Sequence, residues 1–167
     1  MKVEKKEDKY IITDFDEFQA YKIASKVERD GMNFYTYLSI NSDKQEIKEI
    51  FQFLADQERR HLRLFKGFLD GLQSDDQYVA QDSGLLNTFN LMDTGIFKPL
   101  HVLEKEAKGM DAAHCIQLAL EAEIGSINFY LACLENVPAK TEKELLNIIE
   151  EEKKHKSMLE DALKKTA

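Results

Sequence analysis

Six residues, Glu28, Glu58, His61, Glu123, Glu152 and His155, stand where a helical protein would place apolar side chains. Glu28 interrupts a stripe of Ala20, Ala24, Val27, Gly31, Phe34 and Leu38. Glu58 and His61 interrupt Ile47, Phe51, Leu54, Phe65 and Phe68, and Glu152 and His155 interrupt Leu145, Ile148, Leu159 and Ala162. Four carboxylates brought together in a dry interior repel one another and lose their hydration, at a cost of several kcal/mol per ion. They can be protonated, paired with buried Lys or Arg, or neutralised by bound cations. The stripes hold no basic residue besides the two histidines, so cations are the best supported route. Two divalent ions would balance four glutamates.

The spacing agrees with metal binding. In Glu58-Arg59-Arg60-His61 and in Glu152-Lys153-Lys154-His155 the carboxylate and the imidazole share one helix face about one turn apart, so both can reach the same ion. Carboxylate oxygen with imidazole nitrogen suits iron, manganese or zinc, and no thiolate is offered to softer ions. Two iron ions are the expectation, with manganese or zinc as alternatives. Tyr35 and Tyr130 lie two turns from Glu28 and Glu123 and read as core residues bonded through their hydroxyls rather than as radical carriers. Glu121, Glu150 and Glu151 fall off the stripes and read as solvated surface, as do the lysines around His155. His101 and His114 lack any partner at ligand spacing. Small residues flank the terminal glutamates (Ala24 and Gly31 around Glu28, Ala119 and Ser126 around Glu123) and would leave room for ions and a small oxidant.

Four long helices are needed to carry these residues, and the periodicity supplies them: about 14–40, 42–69, 111–135 and 141–165. Asp14 with Glu17, Ser42 with Gln45 and Thr141 with Glu144 have capping-box spacing, and Gly71 is placed to stop the second helix. With 7 Gly and 2 Pro in 167 residues, little breaks such helices. Short turns make the first two helices one antiparallel hairpin and the last two another. Residues 1–13 read as a tail and 14–165 as one domain. A helix of about 26 residues is about 39 Å long, so a long crossover, about 72–110, must return the chain along the bundle. Within it Leu85–Leu91 and Leu100–Lys108 are candidate short helices. The apolar residues Leu85, Leu86, Phe89, Leu91, Met92, Ile96 and Phe97 would cover the bundle or form a homodimer contact.

The hairpins repeat. Glu28–Tyr35 (ERDGMNFY) matches Glu123–Tyr130 (EIGSINFY), and Glu58–His61 (ERRH) matches Glu152–His155 (EKKH), at nearly the same offset. One Glu from each of two helices plus Glu-x-x-His from each of the others is the ligand set of ferritin-like di-iron and di-manganese bundles. By that analogy Glu58 and Glu152 bridge the ions, Glu28 and Glu123 are terminal, and each histidine binds one ion. On these residues, and on Asp56–His61 (DQERRH), the chain resembles the rubrerythrins and their ferritin-like relatives over about 14–165. The resemblance implies an all-α, ferritin-like four-helix bundle of two antiparallel hairpins joined by a long crossover. Two departures stand out. No paired CxxC of a rubredoxin domain is present, so an external electron-donor protein is expected. Ser126 stands one turn after Glu123, where that family carries an extra carboxylate linked to redox-dependent ligand exchange.

Composition narrows the partners. A formal net charge of −8 argues against nucleic acid, which needs clustered Lys and Arg. No apolar run approaches the roughly 18 residues of a membrane span. The charged start MKVEKKEDKY has no signal-peptide core, and Cys115 and Cys133 read as reduced, so a cytoplasmic location is expected. The leading expectation is an oxidoreductase whose diferrous centre reduces hydrogen peroxide or dioxygen and is re-reduced externally, with a ferroxidase as its variant. The alternatives are a non-catalytic metal-binding or iron-handling bundle, and an interaction module whose site is empty or holds zinc.

Overall fold

In the computed structural model the described residues are 2–6, 9–13, 16–73, 95–106, 111–134 and 137–166. Asp16 begins the first helix: its carboxylate accepts the Gln19 amide at 2.9 Å, and the Gln19 side chain accepts the Asp16 amide at 3.2 Å. This reciprocal box opens α1 (Glu17–Asn41), two residues later than Asp14 with Glu17 would have done. Glu17 is used otherwise, accepting the Tyr21 hydroxyl at 2.7 Å. Ser42 turns the chain in extended conformation, and α2 (Gln45–Gln73) follows at once. That helix runs through Gly71 rather than stopping there. A glycine inside a helix costs about 1 kcal/mol, and the packing of Leu69 and Leu72 against the core offsets it.

The short α3 (Leu100–Glu106) begins where the expected Leu100–Lys108 does and is pinned by the fully buried Leu103, while residues 107–108 lie outside the described residues. The other crossover piece, Leu85–Leu91, lies outside the described residues, together with Leu85, Leu86, Phe89, Leu91 and Met92. Asp111 caps α4 (Ala112–Cys133) by accepting the His114 amide. The last helix, α5 (Ala139–Thr166), starts earlier than Thr141. The Pro138 carbonyl accepts the amides of Thr141 and Glu142, so Thr141 already lies in the first turn. With the Tyr21 proton given to Glu17, the Thr141 hydroxyl donates to the Tyr21 oxygen at 2.7 Å, tying α5 to α1 instead of capping.

Pairing follows the hairpins: α1 packs along α2 and α4 along α5, with α1 meeting α4 and α2 meeting α5 to close a four-helix bundle. The N-terminal residues read as a tail instead form a two-stranded antiparallel ribbon, β1 (Lys2–Lys6) and β2 (Lys9–Thr13), with Val3 opposite Ile12. Two runs separated by two residues, with Tyr10, Ile11, Ile12 and Thr13 in the second, favour a hairpin. The density of charge in MKVEKKEDKY hides that pattern. No helix among the described residues is long and apolar enough to cross a membrane.

The core is layered by level along the bundle. Tyr35 stacks on Phe51 at 6.2 Å and meets Phe97 edge-on, while at the other level Tyr130 stacks on Phe65, itself beside Phe68 and Tyr21. Tyr21, Tyr35, Phe51, Phe65 and Tyr130 each lie seven residues, about two helical turns, from the glutamate on their own helix. The carboxylates therefore occupy a polar layer between two aromatic ones.

Candidate metal centre

Mid-helix placement on the inward stripe brings Glu28 of α1, Glu58 and His61 of α2, Glu123 of α4, and Glu152 and His155 of α5 into that layer, all of them buried. All six expected residues converge. Their donor atoms form two groups, each with its atoms within 4.8 Å of one another: Glu28, Glu58, His61 and Glu152, and Glu58, Glu123, Glu152 and His155. Glu58 and Glu152 belong to both. The His61 Nδ1 lies 3.1 Å from Glu152 and 3.4 Å from Glu28, and the His155 Nδ1 lies 3.1 Å from Glu152 and 3.8 Å from Glu123. The two imidazoles are stacked at 6.2 Å.

The terminal glutamates are held crosswise. The Tyr35 hydroxyl of the first hairpin donates to Glu123 Oε1 of the second at 2.5 Å, and the Tyr130 hydroxyl of the second donates to Glu28 Oε1 of the first. Both tyrosines are fully buried, as expected of core residues bonded through their hydroxyls. Burial, reinforced by the facing glutamate, raises each phenol well above its ordinary range, so each stays a donor.

A metal fits what remains. Glu28 Oε2, Glu123 Oε2, Glu152 Oε1 and His61 Nδ1 are buried and have no hydrogen-bond partner. Orphaned buried polar atoms are costly, and here four acceptor-capable atoms belong to one cluster. The charges are equally unresolved. Burial raises the Glu58 carboxyl well above the carboxylate range, with Glu28 and Glu152 adding to it. Burial also raises Glu123, with Glu152 next, against the opposing Tyr35 hydrogen bond. Burial pushes Glu152 the same way, but the His155 hydrogen bond and the His61 imidazole facing it outweigh burial and hold that carboxyl low. Burial alone would lower His61, yet Glu28 and Glu152 lift it to about 11. Without metal, burial favours protonated Glu58 and Glu123 beside a charged His61, where cations would neutralise the same groups.

The Rubrerythrin family profile matches residues 20–108, more than half of the chain. The chain belongs to the rubrerythrin family. The matched segment carries Glu28, Glu58 and His61 and ends before Glu123, Glu152 and His155, so the second half of the site rests on the internal repeat and on the geometry above. Among solved structures the chain is similar to a Thermotoga maritima protein provisionally described as a ferritin-like diiron-carboxylate protein. That likeness has a TM-score of 0.68 and 23% identity, and covers 94% of this chain and 100% of that one. It shows the ferritin-like fold. No curated protein sequence matches the chain.

Two expectations need correction. Glu121 and Glu150 are exposed, but Glu151 is only half-exposed and reaches the cluster, its Oε2 lying 2.8 Å from the His61 Nε2 and also accepting from Arg60. Its position, next to Glu152 and off the apolar stripe, hides this in sequence. The useful signal is that it borders the seam where α5 meets α2.

The space beside Gly31 is not left for a small oxidant either, because the Phe97 ring fills it. A Cβ at Gly31 would stand 2.7 Å from Phe97 Cζ and 3.2 Å from Glu58 Cδ. Phe97 is itself confined by Phe34 and Tyr35. Gly31→Ala should therefore cost about 1–3 kcal/mol by overpacking and lower the melting temperature by several degrees at about 2–4 °C per kcal/mol. A Cβ at Gly125 would meet the Ile96 side chain first, at 3.2 Å, and Gly125→Ala gains helix propensity of about 1 kcal/mol, so it should melt within a degree or two of the parent. Thermal denaturation followed by circular dichroism compares them. Equal melting points for the two variants would refute the role given to Phe97.

Proposed function

We propose that Glu28, Glu58, His61, Glu123, Glu152 and His155 hold two metal ions, in the first place iron, and that the loaded protein is an oxidoreductase reducing hydrogen peroxide or dioxygen. The observation that carries this reading is the overlap of two four-residue donor groups through Glu58 and Glu152. Glu58 and Glu152, which belong to both groups, would serve both ions, while Glu28 with His61 and Glu123 with His155 would each serve one. Bound iron would supply Lewis acidity and the electrons for the reduction.

The chain's own residues do the rest. Tyr35 and Tyr130 each hold one oxygen of a terminal glutamate and leave the other oxygen facing the cluster. The aromatic layers on either side keep bulk water out. Protons held on Glu58, Glu123 and His61 must leave when a cation takes their place. Electrons would come from a separate donor, and a ferroxidase would use the same residues with ferrous iron as its substrate. The near-complete burial of all six side chains also suits a second reading, a bundle that binds ions for stability without turnover.

Aerobic iron loading followed by metal analysis and an absorption spectrum should give two irons per chain and a charge-transfer band. In stopped-flow mixing, the ferrous-loaded protein should be oxidised by peroxide or dioxygen much faster than free ferrous ion. If both oxidants leave the bound iron ferrous, the oxidoreductase reading is lost and the stabilising one stands.

A further inference from the structure

The two halves of the centre repeat in sequence but are not backed alike. Behind His61, on the side away from the cluster, stands the Glu151 carboxylate, 2.8 Å from Nε2, with Arg60 on the same oxygen. An imidazole that donates Nε2–H to a carboxylate presents its Nδ1 lone pair, and the His61 Nδ1 is the buried, partnerless atom facing Glu28 and Glu152. A carboxylate behind a ligating histidine fixes the ring and strengthens it as a ligand. At the repeat offset of His61 and His155, the position matching Glu151 is Gln57, a neutral amide. Among the described residues no carboxylate is paired with the His155 Nε2. Instead, His155 has the half-exposed Phe53 edge-on at 6.0 Å.

We propose that Glu151 is a positioning residue that makes the two metal positions unequal, so that the Glu28–Glu58–His61–Glu152 position fills first and more tightly. The inference rests on the two-metal reading of the same site. Glu151 lines an open pocket of about 440 Å³ between α2 and α5, beside Arg60, Arg63 and Glu144. Replacing it therefore opens no cavity in the sealed core.

Anaerobic calorimetric titration of the metal-free protein with Co(II) should resolve a tighter and a weaker step. Glu151→Ala should weaken the tighter step by about 10–100-fold, the range found for such outer partners, and leave the weaker one near its parent value. Glu151→Gln keeps a hydrogen-bond acceptor but not the charge and should fall between. Gln57→Glu should tighten the weaker step. In the Zn(II)-loaded protein, nitrogen-15 NMR should show His61 bonded to metal through Nδ1 with a strongly hydrogen-bonded Nε2–H that Glu151→Ala abolishes.

If the parent binds no Co(II), the two-metal reading falls and this inference with it. Two ions bound in the parent with both steps unmoved by Glu151→Ala would overturn the inference alone. Equal weakening of both steps, or an unchanged His61 signal in that variant, would also overturn it by reducing Glu151 to a structural part.

Discussion

Replacing either shared glutamate, Glu58→Ala or Glu152→Ala, should abolish the binding of two ions, whereas Glu121→Ala should retain both. Each shared carboxylate belongs to both donor groups, so one substitution strips a ligand from both positions. It also leaves two divalent cations facing only three glutamates, so their mutual repulsion is less neutralised and the second is harder to hold. Glu121 is exposed on the far side of α4 and is the matched control. Metal content by elemental analysis after gel filtration reads the result. Two tightly bound ions in Glu152→Ala would remove Glu152 from the ligand set, and loss of metal in Glu121→Ala would place the site elsewhere.

The metal-free protein should become less stable as pH rises from about 5 to about 9, and bound metal should reverse that trend. Glu58 and Glu123 have folded-state values well above their ordinary 4.5. The stability they contribute is complete below 4.5 and is lost as pH climbs toward those raised values. His61 adds to this, complete below 6.5 and lost as pH rises through about 11. Glu152 is shifted the other way, so its contribution is present above 4.5 and lost only at lower pH, outside the window. Each extra proton held by the native state changes stability by about 1.4 kcal/mol per pH unit, or about 3–5 °C for a chain of this size. Metal displaces those protons, so its stabilising effect grows with pH. Melting curves with and without Co(II) across the range test this. A metal-free melting temperature that climbs between pH 5 and 9 would contradict the protonated cluster.

Charged residues on an apolar face are conspicuous because periodicity supplies the expectation they violate. That is why all six cluster residues and the four helices could be read from the sequence. Local competition was harder to read. Asp14 with Glu17 and Asp16 with Gln19 have the same spacing, and only the fold shows Glu17 engaged with Tyr21. Thr141 looked like a cap, but its hydroxyl serves Tyr21 across the bundle. Gly71 looked like a stop, though burial of Leu69 and Leu72 carries α2 past it. Glu151 and Phe97 depend on which flank of one element meets another, and helical spacing within one segment contains no such information. Arg60 makes the same point, since it is ordinary surface in sequence and the anchor of Glu151 in space.

The crossed tyrosines have a consequence for how such a centre could arise. Neither hairpin is self-sufficient: each supplies half of the six cluster residues and a phenol whose carboxylate belongs to the other. A single ancestral hairpin would have had to meet a second copy face to face before either phenol found its acceptor. In one chain that encounter is intramolecular, and the two halves are free to differ, as Glu151 and Gln57 do. The seam between the two halves runs through a fully buried layer of the protein.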